Sequence, residues 1–437
     1  MSDENLDQGT TCLYEGAQLA NDGKLEAALK KLTEATRLIP GSVQAWLIRS
    51  SVEVALERLP EAEKSLHCAL DLEPKNTEVR FQLAQLHFQQ DLVEEAASEF
   101  HQLITEDPEM LPAYFECGSC LQILGRHEAA LEVFKERLKR EPDFDTLTMS
   151  AMSCEMLQDY EQAEQFYAQA VALEPENVIA IESHASVCCE LERYDEALAE
   201  FKRALELDPD SPEAFCGLGK VGFYTDDLDQ AKKNLTRAVE LDPECVPAWE
   251  MLGQLYFRLR DYKETLHCTE QALELAPDVP CYDLRIASKR ELGDLEGAIK
   301  EAMAGLEQEP ENPDVLFELG LTYMEQENFA EACSAFTRAL EDDTVEHSEI
   351  LSQRGVALME MLEFDKALAD FTAAIKLEPK RPMERFMRGR LYYLMGETDK
   401  AIKDLQRAQE LADEEQNEAV AKLCRKLLRN IEEDTEE

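Results

Sequence analysis

Cys117-Gly118-Ser119-Cys120 is the spacing most suggestive of chemistry in this 437-residue chain. A CxxC pair exchanges disulfides only where the surroundings lower a thiol pKa, as at a strand-to-helix junction. It binds zinc only with further ligands, and no second CxxC accompanies it. Cys188 and Cys189 are adjacent; on one helix they point in different directions, so a mutual disulfide is geometrically poor. His67-Cys68 and His267-Cys268 fall at unrelated positions of the periodicity described below. The seven His residues give no HExxH and no i,i+4 pair, and the chain has no GK[ST] loop and no GxSxG. No spacing marks a desolvated carboxylate pair suited to acid–base work. The sequence therefore predicts no catalysis, no cofactor and no metal site.

Composition narrows the partners. Hydrophobic residues make up 44% and charged residues 31%, enough apolar material for an ordered chain. Lys and Arg total 44 against 93 Asp and Glu, a net charge of −49. Such a charge repels phosphates and anionic lipid surfaces, so nucleic acid and membranes are not the expected ligands. No apolar run approaches the ~18 residues of a membrane helix. Met1 to Asp22 lacks the basic and apolar regions of a secretory signal. The 13 cysteines are odd in number and scattered, which fits reduced, packed thiols in a cytoplasmic protein.

The prolines reveal how the chain is organised. Pro40, Pro74, Pro108, Pro142, Pro175, Pro209, Pro243, Pro277 and Pro310 recur every 33 or 34 residues, and Pro379 follows two periods later. With each proline at position 32, repeat units start near residues 9, 43, 77, 111, 144, 178, 212, 246, 279, 313, 348 and 382. Position 8 is small in all units but one, as in Gly16, Ala84, Gly118, Gly219 and Gly320, and position 20 is Ala in all but one. The pattern predicts two antiparallel helices per unit, helix A over positions 1–14 and helix B over 17–30. Small residues let the two axes approach, and proline ends helix B. Other prolines, including Pro112, Pro212, Pro247, Pro280, Pro313 and Pro382, open helix A, where a missing N–H is harmless.

Trp249, Leu252, Gly253, Tyr256, Ala272 and Pro277, and again Phe317, Gly320, Tyr323, Ala332, Phe336 and Ala339, give the chain a pattern that resembles the tetratricopeptide repeat. The resemblance spans roughly residues 9–415. It implies an all-α, right-handed superhelical solenoid of about twelve helix-turn-helix repeats, with helices A lining a concave groove. It also implies a protein-binding scaffold rather than an enzyme. Residues 1–8 are expected to be disordered. The amphipathic stretch 416–431, with Val420, Leu423, Cys424, Leu427, Leu428 and Ile431, is expected to cap the array, and 432–437 to be a frayed acidic tail. Two departures stand out. The ninth unit has Ile286 at the small position and Gly305 at a usual Ala. The tenth is one residue long, reading Glu341-Asp342-Asp343-Thr344 without its proline, which suggests a local change of angle near 340–350.

In that family the inward side chains come from positions 2, 5, 9 and 12 of helix A. Here positions 5 and 12 give Phe81, Phe88, Phe115, Phe223, Phe257, Phe317, Met324, Phe386 and Tyr393, among others, and adjacent inward sites add Met149 and Met152. An aromatic and Met-rich face suits an apolar or amphipathic peptide, although the same side chains could instead pack between neighbouring helices. The carboxylate clamp of chaperone-adaptor domains is not matched, since Leu13, Ala17, Ile48, Glu78 and Gln82 stand where Lys, Asn and Arg would be. Residues 81–125, 141–192 and 301–337 contain no Lys or Arg, whereas 376–407 holds nine. The acidic stretches favour a basic partner. The basic segment, with Arg381, Arg385, Arg388 and Arg390, offers a competing expectation of head-to-tail self-association. A redox- or metal-responsive role for the cysteines is the third expectation.

Overall fold

The computed structural model describes residues 3–277, 281–341 and 347–436, and the regular elements among them are all α-helices. The chain divides into two compact units, residues 1–217 and 218–437. The first holds α1 (Asp3–Asn21), α2 (Leu25–Leu38), α3 (Val43–Ala55), α4 (Leu59–Leu72), α5 (Thr77–Gln89), α6 (Val93–Glu106), α7 (Leu111–Ile123), α8 (His127–Leu138), α9 (Phe144–Met156), α10 (Tyr160–Leu173), α11 (Val178–Glu190) and α12 (Tyr194–Leu207). The division falls within α13 (Pro212–Tyr224). The second unit continues with α14 (Leu228–Leu241), α15 (Val246–Arg258), α16 (Tyr262–Leu275), α17 (Tyr282–Glu291), α18 (Leu295–Gln308), α19 (Pro313–Glu325), α20 (Phe329–Ala339), α21 (His347–Glu360), α22 (Phe364–Leu377), α23 (Pro382–Leu394), α24 (Thr398–Glu414) and α25 (Glu418–Glu436). Odd-numbered helices up to α23 are the A helices and even-numbered ones the B helices.

Local chemistry sets these boundaries. Asn76, Asp143, Asn177 and Asn312 cap A helices by accepting a hydrogen bond from the backbone N–H three residues on. Asp159, Asp227, Asp261 and Asp294 do the same for B helices. The A-to-B turn reverses the chain through one left-handed residue at a fixed repeat position, as at Gly23, Glu57, Gly125, Glu192, Leu362 and Gly396.

Most B helices present a large side chain to the small residue of their A helix. Phe100, Phe134, Phe201, Leu235, Phe336, Phe371 and Leu405 are almost wholly buried there. A β-carbon on Gly118, Gly219, Gly320, Gly355 or Gly389 would overlap the facing ring or leucine. The alanines at position 20, including Ala28, Ala62, Ala96, Ala332 and Ala401, are fully buried. Successive pairs share their cores: in the first unit Phe100 and Leu103 cluster with Ala113, Cys117 and Cys120 of the following A helix. In the second unit Phe336 and Ala339 cluster with Ile350 and Ala357.

Several sequence expectations change. The segment 1–8 is helical from Asp3 onward, because Gly9 lets α1 lie directly against Ile39 and Leu38; Met1 and Ser2 lie outside the described residues. Residues 432–436 continue α25 rather than fraying. That helix packs Val420, Ala421, Cys424 and Ile431 against Ala401, Leu405, Ala408 and Ala412 of α24. The unusual turn of the tenth repeat lies largely outside the described residues, which omit 342–346, as does Pro280.

Candidate functional site

The A helices carry the side chains expected to face a ligand, and the structure sorts them. In the first unit Phe81 meets Phe100 edge-on at 5.4 Å, and Phe115 meets Phe134 at 6.3 Å. Both rings are half-buried, one face on the core, and Phe88 packs on the same cluster. Met149 is half-buried. Met152 is 46% exposed, and it is joined by Ile123 at 61%, Met156 at 66% and Ile179 at 72%. These four sit on α7, α9 and α11. The last three were missed from the sequence; Ile123 and Met156 share repeat position 13, just past the inward stripe, which is the signal that could have found them.

Carboxylates stand on the same helices. Glu155 on α9 accepts a 2.6 Å hydrogen bond from the Tyr167 hydroxyl, and Glu182 on α11 accepts one from Ser211. Burial pushes both carboxyls above the ordinary range, outweighing those bonds. Beneath α3 and α5 a smaller cleft of about 220 Å³ is lined by Ser50, Phe81, Gln82 and Gln85.

In the second unit Phe223 packs on Tyr224 at 5.4 Å and carries the Arg258 guanidinium over its ring. Phe257 packs on Tyr262 and Phe317 on Phe336. Met324 and Tyr393 are half-buried. Phe386 is not a groove residue: it is buried in the core that α25 completes. Burial raises the carboxyls of Glu250, Asp283 and Glu318. Arg290 bonds Glu318 at 3.0 Å and Glu325 at 2.9 Å.

The basic segment is largely engaged within its own unit. Arg388 forks onto both oxygens of Asp404, at 2.6 and 2.9 Å, and both side chains are mostly buried. Arg354 and Asp370 repeat this geometry one pair earlier. Arg385 donates to the carbonyl of Pro379. Arg381 pairs with Glu378 and Glu384, and Arg390 approaches Glu360.

The Cys117 and Cys120 thiols are buried rather than activated. Burial pushes Cys117 up to about 12 and Cys120 up to about 11. Gly118 between them is the small residue against Phe134, so the spacing belongs to the helix crossing. Among the described residues no three His, Cys, Asp or Glu side chains gather to hold a metal, and no helix is long and apolar enough to cross a membrane.

The profile of the cilia and flagella-associated protein 70 C-terminal domain matches residues 73–287. Two tetratricopeptide-repeat profiles match residues 313–343 and 353–415. No curated protein matches in sequence. The crystal structure of the APC/C hetero-tetramer Cut9–Hcn1 superposes with a TM-score of 0.50 at 12% identity, over 97% of this chain and 96% of that one. Yeast Tom70 superposes at 0.46 with 16% identity over 96% of each chain. YrrB, described as a tetratricopeptide-repeat protein with an unusual peptide-binding site, gives 0.39 and 20% over 43% of this chain and 96% of that one.

Proposed function

Because the chain belongs to the tetratricopeptide-repeat family, we propose that it is a non-catalytic interaction scaffold whose A helices capture a partner peptide of apolar and basic character. The twelve-unit division and the cap over 416–431 are part of this proposal. The observation that carries it is the set Ile123, Met152, Met156 and Ile179, exposed on α7, α9 and α11, two of which also carry Glu155 and Glu182. Residues 141–192 contain no Lys or Arg to neutralise those carboxylates. Flexible Met side chains adapt to an apolar ligand, and the acidic surroundings steer a cationic one. Phe81, Phe88 and Phe115 would shape the floor of such a site rather than act as free anchors.

An amphipathic peptide of alternating Leu and Lys pairs, followed by fluorescence anisotropy, tests this. Binding should weaken by at least about tenfold in Met152→Asp/Met156→Asp. A merely electrostatic attraction would strengthen, since the variant is more negative. Unchanged or tighter binding by a variant that melts normally would sink the proposal.

Self-assembly through 376–407 is less well supported, because Arg388 is held by Asp404. Sedimentation velocity at low and high salt separates the two, since only self-assembly gives a salt-reversible oligomer. The profile match at 73–287 supports a place in a ciliary or flagellar assembly. Imaging of the tagged chain in ciliated cells would show it along the axoneme or exclude it from there.

A further inference from the structure

The sixth and tenth repeats share a contact that the third lacks. On α12 Arg203 donates to Oε2 of Glu200 at 3.2 Å and to the carbonyl of Pro175, the proline that ends the preceding repeat. On α20 Arg338 donates likewise to the carbonyl of Pro310. In register with Glu200 and Pro175 the third repeat has Glu99 on α6 and Pro74, but Gln102 stands where Arg203 would be. Gln102 donates to Glu106 at 2.8 Å, and Arg80 on α5 is held by Glu106 as well. Both side chains are thus engaged away from Glu99 and Pro74.

What remains is a cleft of about 490 Å³ between α4, α6 and the start of α5, with Leu70, Pro74 and Leu83 as apolar lining and Asp71 and Glu99 as carboxylates. Its acceptors can be reached. Asp71 and Pro74 are exposed, and no described residue donates a hydrogen bond to the Asp71 carboxylate or the Pro74 carbonyl. The Glu99 side chain is 34% exposed, and its Oε2 meets His87 Nδ1 at 2.9 Å, which leaves Oε1. Two carboxylates and a carbonyl beside apolar side chains suit a planar cationic head on a methylene stem. Arg203 shows that a guanidinium bridges the equivalent carboxylate and carbonyl in this chain. We propose that the cleft receives an arginine side chain of a partner protein, its guanidinium among Glu99, Asp71 and the Pro74 carbonyl and its stem on Leu70 and Leu83. Two B helices build this surface, so it does not depend on the A-helix proposal.

The probes are Nα-acetyl-arginine amide, its uncharged isostere Nα-acetyl-citrulline amide and Nα-acetyl-lysine amide, titrated into the full chain carrying ¹³C-methyl leucine. The Leu70 and Leu83 methyl signals, assigned with Leu70→Met and Leu83→Met, should shift saturably with the arginine probe. Citrulline amide lacks the charge and lysine amide the fork, so each should bind about tenfold more weakly or worse. Gln102→Arg should supply the guanidinium from within, as Arg203 does, and abolish the response while melting no lower than wild type. Asp71→Asn should weaken the arginine probe about fivefold or more. Equal affinity for citrulline or lysine amide, no saturable shift with arginine amide, a wild-type response in Gln102→Arg, or wild-type affinity in Asp71→Asn would each overturn the site. Should either variant fold poorly, the comparison of probes on the wild-type chain still decides. Loss of this site with an intact response to the Leu–Lys peptide at Met152 and Met156 leaves the scaffold proposal standing.

Discussion

The ring of Phe134 occupies the space that a side chain on Gly118 would need. Two helix axes approach closely there because one residue supplies no bulk and its partner supplies all of it. The pairs Gly320–Phe336 and Gly355–Phe371 repeat the relationship. In the ninth repeat the roles reverse: Ile286 and Ala302 are both fully buried in one cluster, the large residue now on the A helix. Total volume at the crossing is conserved while its source changes sides.

Gly118→Val should therefore destabilise the chain by about 1–3 kcal/mol through overpacking. Phe134→Ala should cost about 3–5 kcal/mol by leaving a cavity. Together they should cost less than the sum, because the valine enters the space the ring vacated. Urea denaturation of the three variants measures the coupling, and strictly additive losses would contradict the complementarity.

Leu362 holds a left-handed backbone, φ 62°, while its side chain is exposed. The same turn position is glycine at Gly125 and Gly396. Leu362→Gly removes a β-carbon clash worth roughly 1–2 kcal/mol and gives back part of it in unfolded-state entropy. A net gain of about 0.5–1 kcal/mol is expected as a higher denaturation midpoint. A lower midpoint would mean that the leucine contributes packing its exposure conceals.

The repeat, its helix pairs and most of its buried positions were legible in the sequence because they follow from volume and backbone chemistry at a fixed period. Proline at 32, alanine at 20 and a small residue at 8 each answer a local steric demand. What was not legible depends on which neighbour fills a given space. Ile286 looked like a defect until Ala302 was seen opposite it, and Gly305 until the Tyr282 ring was seen against it. Phe386 shares its register with surface residues but is covered by α25, a contact outside the repeat pattern. The left-handed turns escaped notice because most are not glycine. Arg388 looked like a free cation because its partner Asp404 lies sixteen residues away on the facing helix.

The Arg388–Asp404 fork yields a prediction that separates structure from association. Both partners are mostly buried, so removing one leaves the other unpaired in poorly hydrated surroundings. Asp404→Ala should cost about 3 kcal/mol, and Arg388→Lys should recover little, because an ammonium cannot bond both carboxylate oxygens in a fork. Thermal melting measures the loss. A self-assembly role for Arg388 instead predicts variants that melt normally and differ only in sedimentation.

Acidification should stabilise this chain before it denatures it. Burial raises the carboxyls of Glu155, Glu182, Glu250, Asp283, Glu318 and Glu384. A carboxyl raised in the folded state takes up its proton at higher pH than in the unfolded chain, so stability rises as pH falls through the folded value toward about 4.3. Glu301 opposes this. Burial disfavours its charge, but Arg285 and Lys289 prevail and hold it low, so its contribution is lost only as pH falls through that lowered value. Falling net negative charge adds to the first effect. The melting temperature should therefore climb between pH 7 and 5. Glu250→Gln, where burial is the only cause of the shift, should melt higher than wild type at pH 7 and show a shallower climb. A melting temperature that falls steadily from pH 7 to 5, or a Glu250→Gln profile parallel to wild type, would show that these inward carboxylates are solvated rather than confined.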